Sequence, residues 1–216
     1  MILAMDTASH IAGIALYDAD GVRAEHTWTS RAHHTVDLMP NIVTLLEQEG
    51  IAATDLQGLV VGLGPGSFTG LRIGLSVAKG LAFAQGIPLV GVPSLHAVAH
   101  AHRVWRLPTW ALIAAGRGRF AAALFRPDQP WPDPTDYQLT RLDTLAPPEG
   151  QTALYAGELT AADRARIQAL WGDRAILTAP AAGLRRTGYL AELGWQRLSA
   201  GEVDDVDALA PIYPPM

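Results

Sequence analysis

The sequence predicts an α/β protein built from two related halves, each a mixed β-sheet with flanking helices, the second half being reduced. Short apolar runs of strand length alternate with longer segments of helical periodicity along the chain. Closely spaced strand-like runs open the first half, and another pair, at 110–114 and 120–125, opens the second. We therefore expect one subdomain over 1–104 and a smaller one over 105–216, with the last segment free to pack back on the first.

The first half is predicted to follow the order β-β-β-α-β-α-β-α. Tight turns separate the first three apolar runs, which indicates an antiparallel meander. A helix follows, with Val36, Met39, Ile42, Val43 and Leu46 on one face and Pro40 in its first turns. The predicted strands are 2–5, 11–17, 22–28, 59–61 and 88–92, and the predicted helices are 35–48, 70–85 and 94–104.

The second half has weaker signals after its opening strand pair. Four prolines between 126 and 136 are too many for regular structure and predict a surface excursion. Two further strands, at 154–157 and 175–177, flank a helix at 160–170, and a long helix is predicted over 183–200.

Composition narrows the class of protein. With 216 residues and 49% hydrophobic content, the chain can bury a substantial core. It has no cysteine, no apolar run of membrane-spanning length and no basic leader, so we expect a cytoplasmic protein without membrane contact. The net charge of −5 argues against a large autonomous nucleic-acid surface.

The most informative segment is the glycine-rich loop 62–70 between a predicted strand and a helix. Such loops often bind phosphate. The glycines do not fit the Gly-x-Gly-x-x-Gly pattern, because its third glycine would fall on Ser67 or Thr69. They do not fit a Walker A loop either, because the nearest following lysine, Lys79, lies deep in the helix. A tight turn remains, with Ser67 or Thr69 as the helix N-cap.

The helix after this loop carries small residues at every fourth position, namely Gly70, Gly74, Ala78 and Ala82. A ridge of this kind lets another backbone approach closely. Glycine costs about 1 kcal/mol relative to alanine inside a helix, so two glycines indicate a steric demand. From spacing alone, the close neighbour is either the chain's own core or the helix of a partner.

Several strings closely resemble the TsaB family, also called YeaZ. They are Asp6-Thr7-Ala8-Ser9, His34-Thr35, Leu38-Met39-Pro40, the run from Gly64 to Gly74, and Pro88-Leu-Val-Gly-Val92. The resemblance covers the first hundred residues well and the remainder loosely. It implies two RNase-H-like halves of the actin/Hsp70 ATPase type.

The resemblance also implies a function. Family members take part in making threonylcarbamoyladenosine in tRNA, beside the anticodon, as a noncatalytic partner and activator of the related transferase TsaD. The ATPase TsaE is a further component, and tRNA is met only through the complex. An isolated chain is expected to have no cofactor, with ATP acting at the level of the complex, and its alternative states are monomer and homodimer.

The family's heterodimer forms through the first two helices, which moves the expectation for the small-residue ridge to a partner interface. A bulky residue at Gly74 should then abolish association and leave the fold intact. Asp6 and Thr7 are expected to border a vestigial nucleotide cleft. The expected interface residues are His34, Leu38, Thr69, Gly70, Arg72, Ile73, Gly74, Val77 and Ala78.

Two features weigh against independent catalysis. Ala114 stands where family members commonly have an acid, so one of two opposed carboxylates for metal–phosphate chemistry is missing. His96 and His100 have metal-ligand spacing, but they are displaced by two positions from the pair of the related transferase. We interpret them, with His102, as surface histidines and expect no metal. The alternatives are an independent ATPase, a metal-dependent (glyco)peptidase and a small-molecule binding module.

Overall fold

The structure, a computed structural model, describes residues 1–30 and 34–214, without the side chains of His34 and Thr35. Its contacts divide the chain into two units. Of the described residues, 1–30, 34–94 and 186–212 form the first unit, and 95–185 and 213–214 form the second. The chain crosses between the units three times, after Ser94, after Arg185 and after Ile212, and the single boundary expected at residue 104 stays a prediction.

The first unit contains a five-stranded mixed sheet in the order β3-β2-β1-β4-β5. The first three strands form the predicted antiparallel meander, and β4 and β5 extend the sheet in parallel from β1. The strands are β1 (Ile2–Asp6), β2 (Ile11–Asp18), β3 (Gly21–Thr29), β4 (Leu59–Gly62) and β5 (Leu89–Val92).

Helices cover both faces of this sheet, which explains why β1 and β4 are buried at every position. Leu3 and Met5 pack in the core with two helices, α1 (His34–Glu49) and α2 (Phe68–Gln85), whereas Val60 on β4 meets Gly194 of the last helix, α5 (Thr187–Ser199). The helices are α1 (His34–Glu49), α2 (Phe68–Gln85), α3 (Ser94–His100), α4 (Ala161–Trp171) and α5 (Thr187–Ser199).

The last helix returns to the first unit because its small residues fit that sheet. A Cβ atom at Gly188 would lie 2.9 Å from Val22 Cγ2, and one at Gly194 would overlap Val60. Glu25 caps the start of α5 by accepting a hydrogen bond from the Gly188 amide at 3.0 Å. Beyond the helix, the amide of Ile212 donates to the carbonyl of Leu63 at 2.8 Å, so Ile212 lies beside Leu63, just after β4.

The second unit repeats the strand order of the first as β10-β9-β6-β7-β8. Three of its strands again form an antiparallel meander, and two again extend the sheet in parallel. The third meander strand, β8, was missed because it has only three residues and follows the proline-rich excursion. The strands are β6 (Thr109–Ala114), β7 (Phe120–Phe125), β8 (Gln138–Thr140), β9 (Ala153–Gly157) and β10 (Ala175–Leu177).

The repeated order confirms the predicted α/β class and its two mixed sheets with flanking helices. Predicted elements and observed ones differ mainly at helix ends. The helix predicted over 94–104 ends at His100 and gives way to a 3₁₀ turn at Arg103–Trp105, and α5 begins at Thr187 rather than at 183. Within the described residues, none of the helices combines the length and apolarity needed to span a membrane.

Candidate functional site

The glycine-rich loop after β4 lies directly on the residues that follow β1. The amide of Ser67 donates to the carbonyl of Ala8 at 2.6 Å, and a Cβ atom at Gly66 would overlap that carbonyl. Ser67 then caps α2, because its hydroxyl accepts from the Gly70 amide at 3.2 Å. Close backbone approach, together with the tight turn, accounts for glycine in this loop.

Asp6 and Thr7 sit beneath this loop, and each is only 1% exposed. The Asp6 carboxylate accepts from the Ala8 amide at 2.9 Å, and a Cβ atom at Gly62 would lie 2.6 Å from its Cγ. The Thr7 hydroxyl donates to the carbonyl of Gly70 at 2.7 Å. Both side chains therefore join the end of β1 to its neighbours in the same unit.

These residues do not fit an independent magnesium–phosphate centre. Such a centre needs carboxylates that can reach the metal. Asp6 is buried beneath Gly62, and the strand that corresponds to β1 in the second sheet, β6, ends in Ala114. A vestigial nucleotide cleft at Asp6 and Thr7 stays a prediction, and we assign no catalytic step to it.

The small-residue ridge of α2 faces the chain's own core. Gly70, Gly74, Ala78 and Ala82 are all buried. A Cβ atom at Gly70 would overlap the Thr7 carbonyl, and one at Gly74 would overlap the Thr7 hydroxyl. The steric demand is thus internal, which corrects the expectation that Gly70, Gly74 and Ala78 form a partner surface.

Leu38 requires the same correction, because it is 1% exposed and belongs to the core of the first unit. The side chain of His34, another expected interface residue, lies outside the described residues. Thr69 and Arg72 are exposed, whereas Ile73 and Val77 are half-buried at the edge of the core. These four of the nine expected residues remain accessible to a partner.

A different set of side chains on α1 and α2 forms an apolar surface, which we call the α1/α2 face. Phe68 is 55% exposed, and the Arg72 guanidinium stacks 3.8 Å above the centre of its ring. A shallow groove runs along α2 between Phe68 and Val77. On α1 the exposed apolar residues are Val36, Met39 and Val43.

The sequence of α1 contains a signal for this face, but periodicity alone does not show which of its apolar residues are exposed. The buried positions of α1 are Leu38, Ile42, Leu45 and Leu46. The sequence places Val36, Met39 and Val43 on one face with Ile42 and Leu46, but the structure leaves the first three exposed, as a second apolar stripe that the core does not use. Two stripes on one helix indicate two partners, of which the sheet is one.

His100 and His102 are buried and His96 is half-buried, which corrects their interpretation as surface residues. His100 is 4% exposed and accepts a hydrogen bond from Arg103 at 2.7 Å, so its ring nitrogen is engaged. His96 contacts the carbonyl of Pro132 at 3.2 Å and packs edge-on against Trp131, with ring centroids 4.9 Å apart. Within 1–30 and 34–214, no group of three or more metal-ligating side chains comes together.

We expect the buried histidines to make the protein less stable in acid. Burial lowers the pKa of His96, against smaller opposing effects of the Pro132 carbonyl and Asp133, and burial also lowers the pKa of His102. The unfolded chain, with histidine pKa values near ~6.5, then binds more protons than the folded one. The stabilisation is therefore complete above about pH 6.5 and is lost as pH falls through the folded pKa values.

Thermal unfolding at about pH 7.5 and about pH 5.5 measures this loss. His96→Phe keeps an aromatic ring in the cluster and should show a smaller acid-induced drop in Tm than the wild type. The exposed His10 provides the control, since His10→Gln should retain the full drop. Equal drops in the wild type and in His96→Phe would contradict the assignment to His96.

Comparison with known proteins identifies the family. The sequence model described as "TsaD: tRNA N6-adenosine threonylcarbamoyltransferase" matches residues 21–215. The Bacillus subtilis "tRNA threonylcarbamoyladenosine biosynthesis protein TsaB" is 32% identical over 98% of this chain and 93% of its own length. The chain belongs to the TsaB (YeaZ) family.

Other relatives agree with this family. The Escherichia coli TsaB protein is 39% identical over 105 residues, which cover 49% of this chain and 44% of that protein. YeaZ from Pseudomonas aeruginosa superposes with a TM-score of 0.78 over 98% of both chains at 24% identity, a likeness of fold. This likeness agrees with the fold of two mixed sheets with flanking helices.

Proposed function

We propose that the protein is a noncatalytic subunit that binds and activates the threonylcarbamoyl transferase TsaD. The B. subtilis and E. coli relatives are named as tRNA threonylcarbamoyladenosine biosynthesis proteins, and family membership places this chain in the same biosynthesis. TsaE is a further component of the proposed complex, in the cytoplasm, with ATP acting at the level of the complex. In isolation the chain forms a homodimer through the α1/α2 face, the surface that we propose binds TsaD.

The observation that carries this proposal is the α1/α2 face. Exposed Phe68, Val36 and Val43 lie on two neighbouring helices whose other sides are buried in the first unit. Apolar surface collected on one element is characteristic of a protein–protein interface. Two observations support a noncatalytic role. Ala114 provides no carboxylate, and the side chains of Asp6 and Thr7 make hydrogen bonds to the backbone within the first unit.

A negative charge on this face should disrupt association with TsaD. Val43→Glu and Phe68→Glu place a carboxylate where an apolar contact is expected, and we expect each to weaken binding at least about tenfold. Isothermal titration calorimetry with purified TsaD measures the change. Val203→Glu is the matched control, because Val203 is 57% exposed in the same unit and Val43 is 46% exposed.

A second experiment, in cells, measures the modified nucleoside that the proposed complex makes. Depletion of the protein should remove threonylcarbamoyladenosine from tRNA, as measured by mass spectrometry, and Val203→Glu should restore it better than Val43→Glu. Retained modification after depletion would overturn the pathway assignment. Robust ATP hydrolysis by the isolated chain, or stoichiometric bound metal, would overturn the noncatalytic role.

A further inference from the structure

The net charge of −5 conceals an uneven distribution between the two units. The first unit carries six lysine and arginine residues against thirteen aspartate and glutamate residues, whereas the second carries ten arginines against eight acidic residues. The segment 103–127 contains five arginines and no acidic residue. A cationic region of this kind attracts polyanions even on an acidic protein.

Three of these arginines meet around a depression in the second unit. Arg103, Arg106 and Arg126 line a cavity of about 250 Å³ together with Phe125 and Trp131. All three arginines are exposed. Trp131 keeps 38% of its surface exposed while its ring packs edge-on against Phe125, with centroids 5.5 Å apart. The depression therefore combines guanidinium groups with a fixed aromatic ring.

The backbone at Arg106 supports a binding role for this depression. Arg106 has φ of 51°, in the left-handed region that residues with a Cβ atom rarely occupy. Its guanidinium lies 3.3 Å from the carboxylate of Asp128, but both side chains are more than three-quarters exposed, so the pair contributes little stability. Strained residues of this kind concentrate at functional sites.

We propose that this depression binds single-stranded RNA, with the arginines on phosphates and a base against Trp131. Guanidinium groups match phosphate geometry, and unstacked bases of RNA loops stack on aromatic rings. Trp105, which is 60% exposed between Arg103 and Arg106 in the chain, offers a second ring. The choice of RNA rests on the proposed function, in which the complex modifies tRNA beside the anticodon.

Fluorescence anisotropy tests this with the full chain, without TsaD, and a labelled RNA hairpin carrying a single-stranded anticodon-type loop. Each of Arg103→Ala, Arg106→Ala and Arg126→Ala should weaken binding about three- to fivefold near ~0.1 M salt. Each should also reduce the slope of log K against log salt by about 0.7. Trp131→Leu should weaken binding with the slope unchanged.

Arg166→Ala is the control, because it removes one exposed arginine of the same unit from α4, outside the depression. An equal loss in this variant would show diffuse charge attraction and overturn the site, as would the absence of RNA binding at low salt. Binding of ATP that Arg106→Ala abolishes, without binding of RNA, would reassign the depression to free nucleotide. Since TsaD is omitted, failure here is distinguishable from failure of the association experiment.

Discussion

Replacing Gly74 with leucine is expected to lower the free energy of unfolding by about 3 kcal/mol or more. A Cβ atom at this position would overlap the Thr7 hydroxyl, which is itself held by its hydrogen bond to the Gly70 carbonyl. Overpacking a close-packed core usually costs about 1–3 kcal/mol, and here the larger leucine also forces α2 away from β1. Urea unfolding followed by circular dichroism measures the loss.

Gly80 provides a control within the same helix. It is exposed, and a Cβ atom there would meet nothing within 4 Å. Gly80→Ala should therefore stabilise the protein by up to about 1 kcal/mol, the difference in helix propensity. A Gly74→Leu variant with wild-type stability and no affinity for TsaD would restore the ridge as an interface, as the family resemblance implied.

The ridge shows why a fold is easier to predict than a site. Small residues recur at every fourth position of α2, namely Gly70, Gly74, Ala78 and Ala82. This spacing indicates a closely packed neighbour, and either a partner helix or the end of β1 can be that neighbour. The structure supplies the missing fact, the position of Thr7. Strands, by contrast, follow from apolar runs that the sheets bury on both faces.

The buried histidines illustrate a second limit. Nothing near His96 in the sequence indicates burial, because its cover comes from the proline-rich excursion about a third of the second unit away. Trp131 and Pro132 return to that ring, so the excursion is only partly a surface feature. Contacts between distant segments are where reading local patterns fails.

The α1/α2 face was partly predictable. Family resemblance assigned the first two helices to a partner, but three of the nine residues named for that interface, Gly70, Gly74 and Ala78, lie on the buried ridge. Which apolar residues of α1 are exposed depends on which of its two apolar stripes packs against the sheet, and the sequence does not distinguish the two stripes. Thr69, Arg72, Ile73 and Val77 remain accessible, and the structure adds the exposure of Phe68, Val36 and Val43.

Loss of the Arg185 side chain should be the most damaging charge change in the second unit. Its guanidinium pairs with Glu158 at 3.2 Å, and the two side chains are 2% and 3% exposed. Arg185→Met leaves a carboxylate buried without that cation, and removing one partner of a buried pair typically costs about 3–5 kcal/mol. Chemical denaturation at neutral pH measures the effect.

A comparison with the neighbouring Arg186 distinguishes the effect of burial from the effect of removing a charge. Arg186 pairs with Glu25 at 2.5 Å, but its side chain is 54% exposed, so Arg186→Met should cost about 1 kcal/mol or less. The double variant Glu158→Gln/Arg185→Met should recover much of the loss, because it removes the buried charge together with its partner. Equal effects of Arg185→Met and Arg186→Met would mean that water screens both pairs, whereas a large difference shows that the second unit encloses an ion pair whose two members depend on each other.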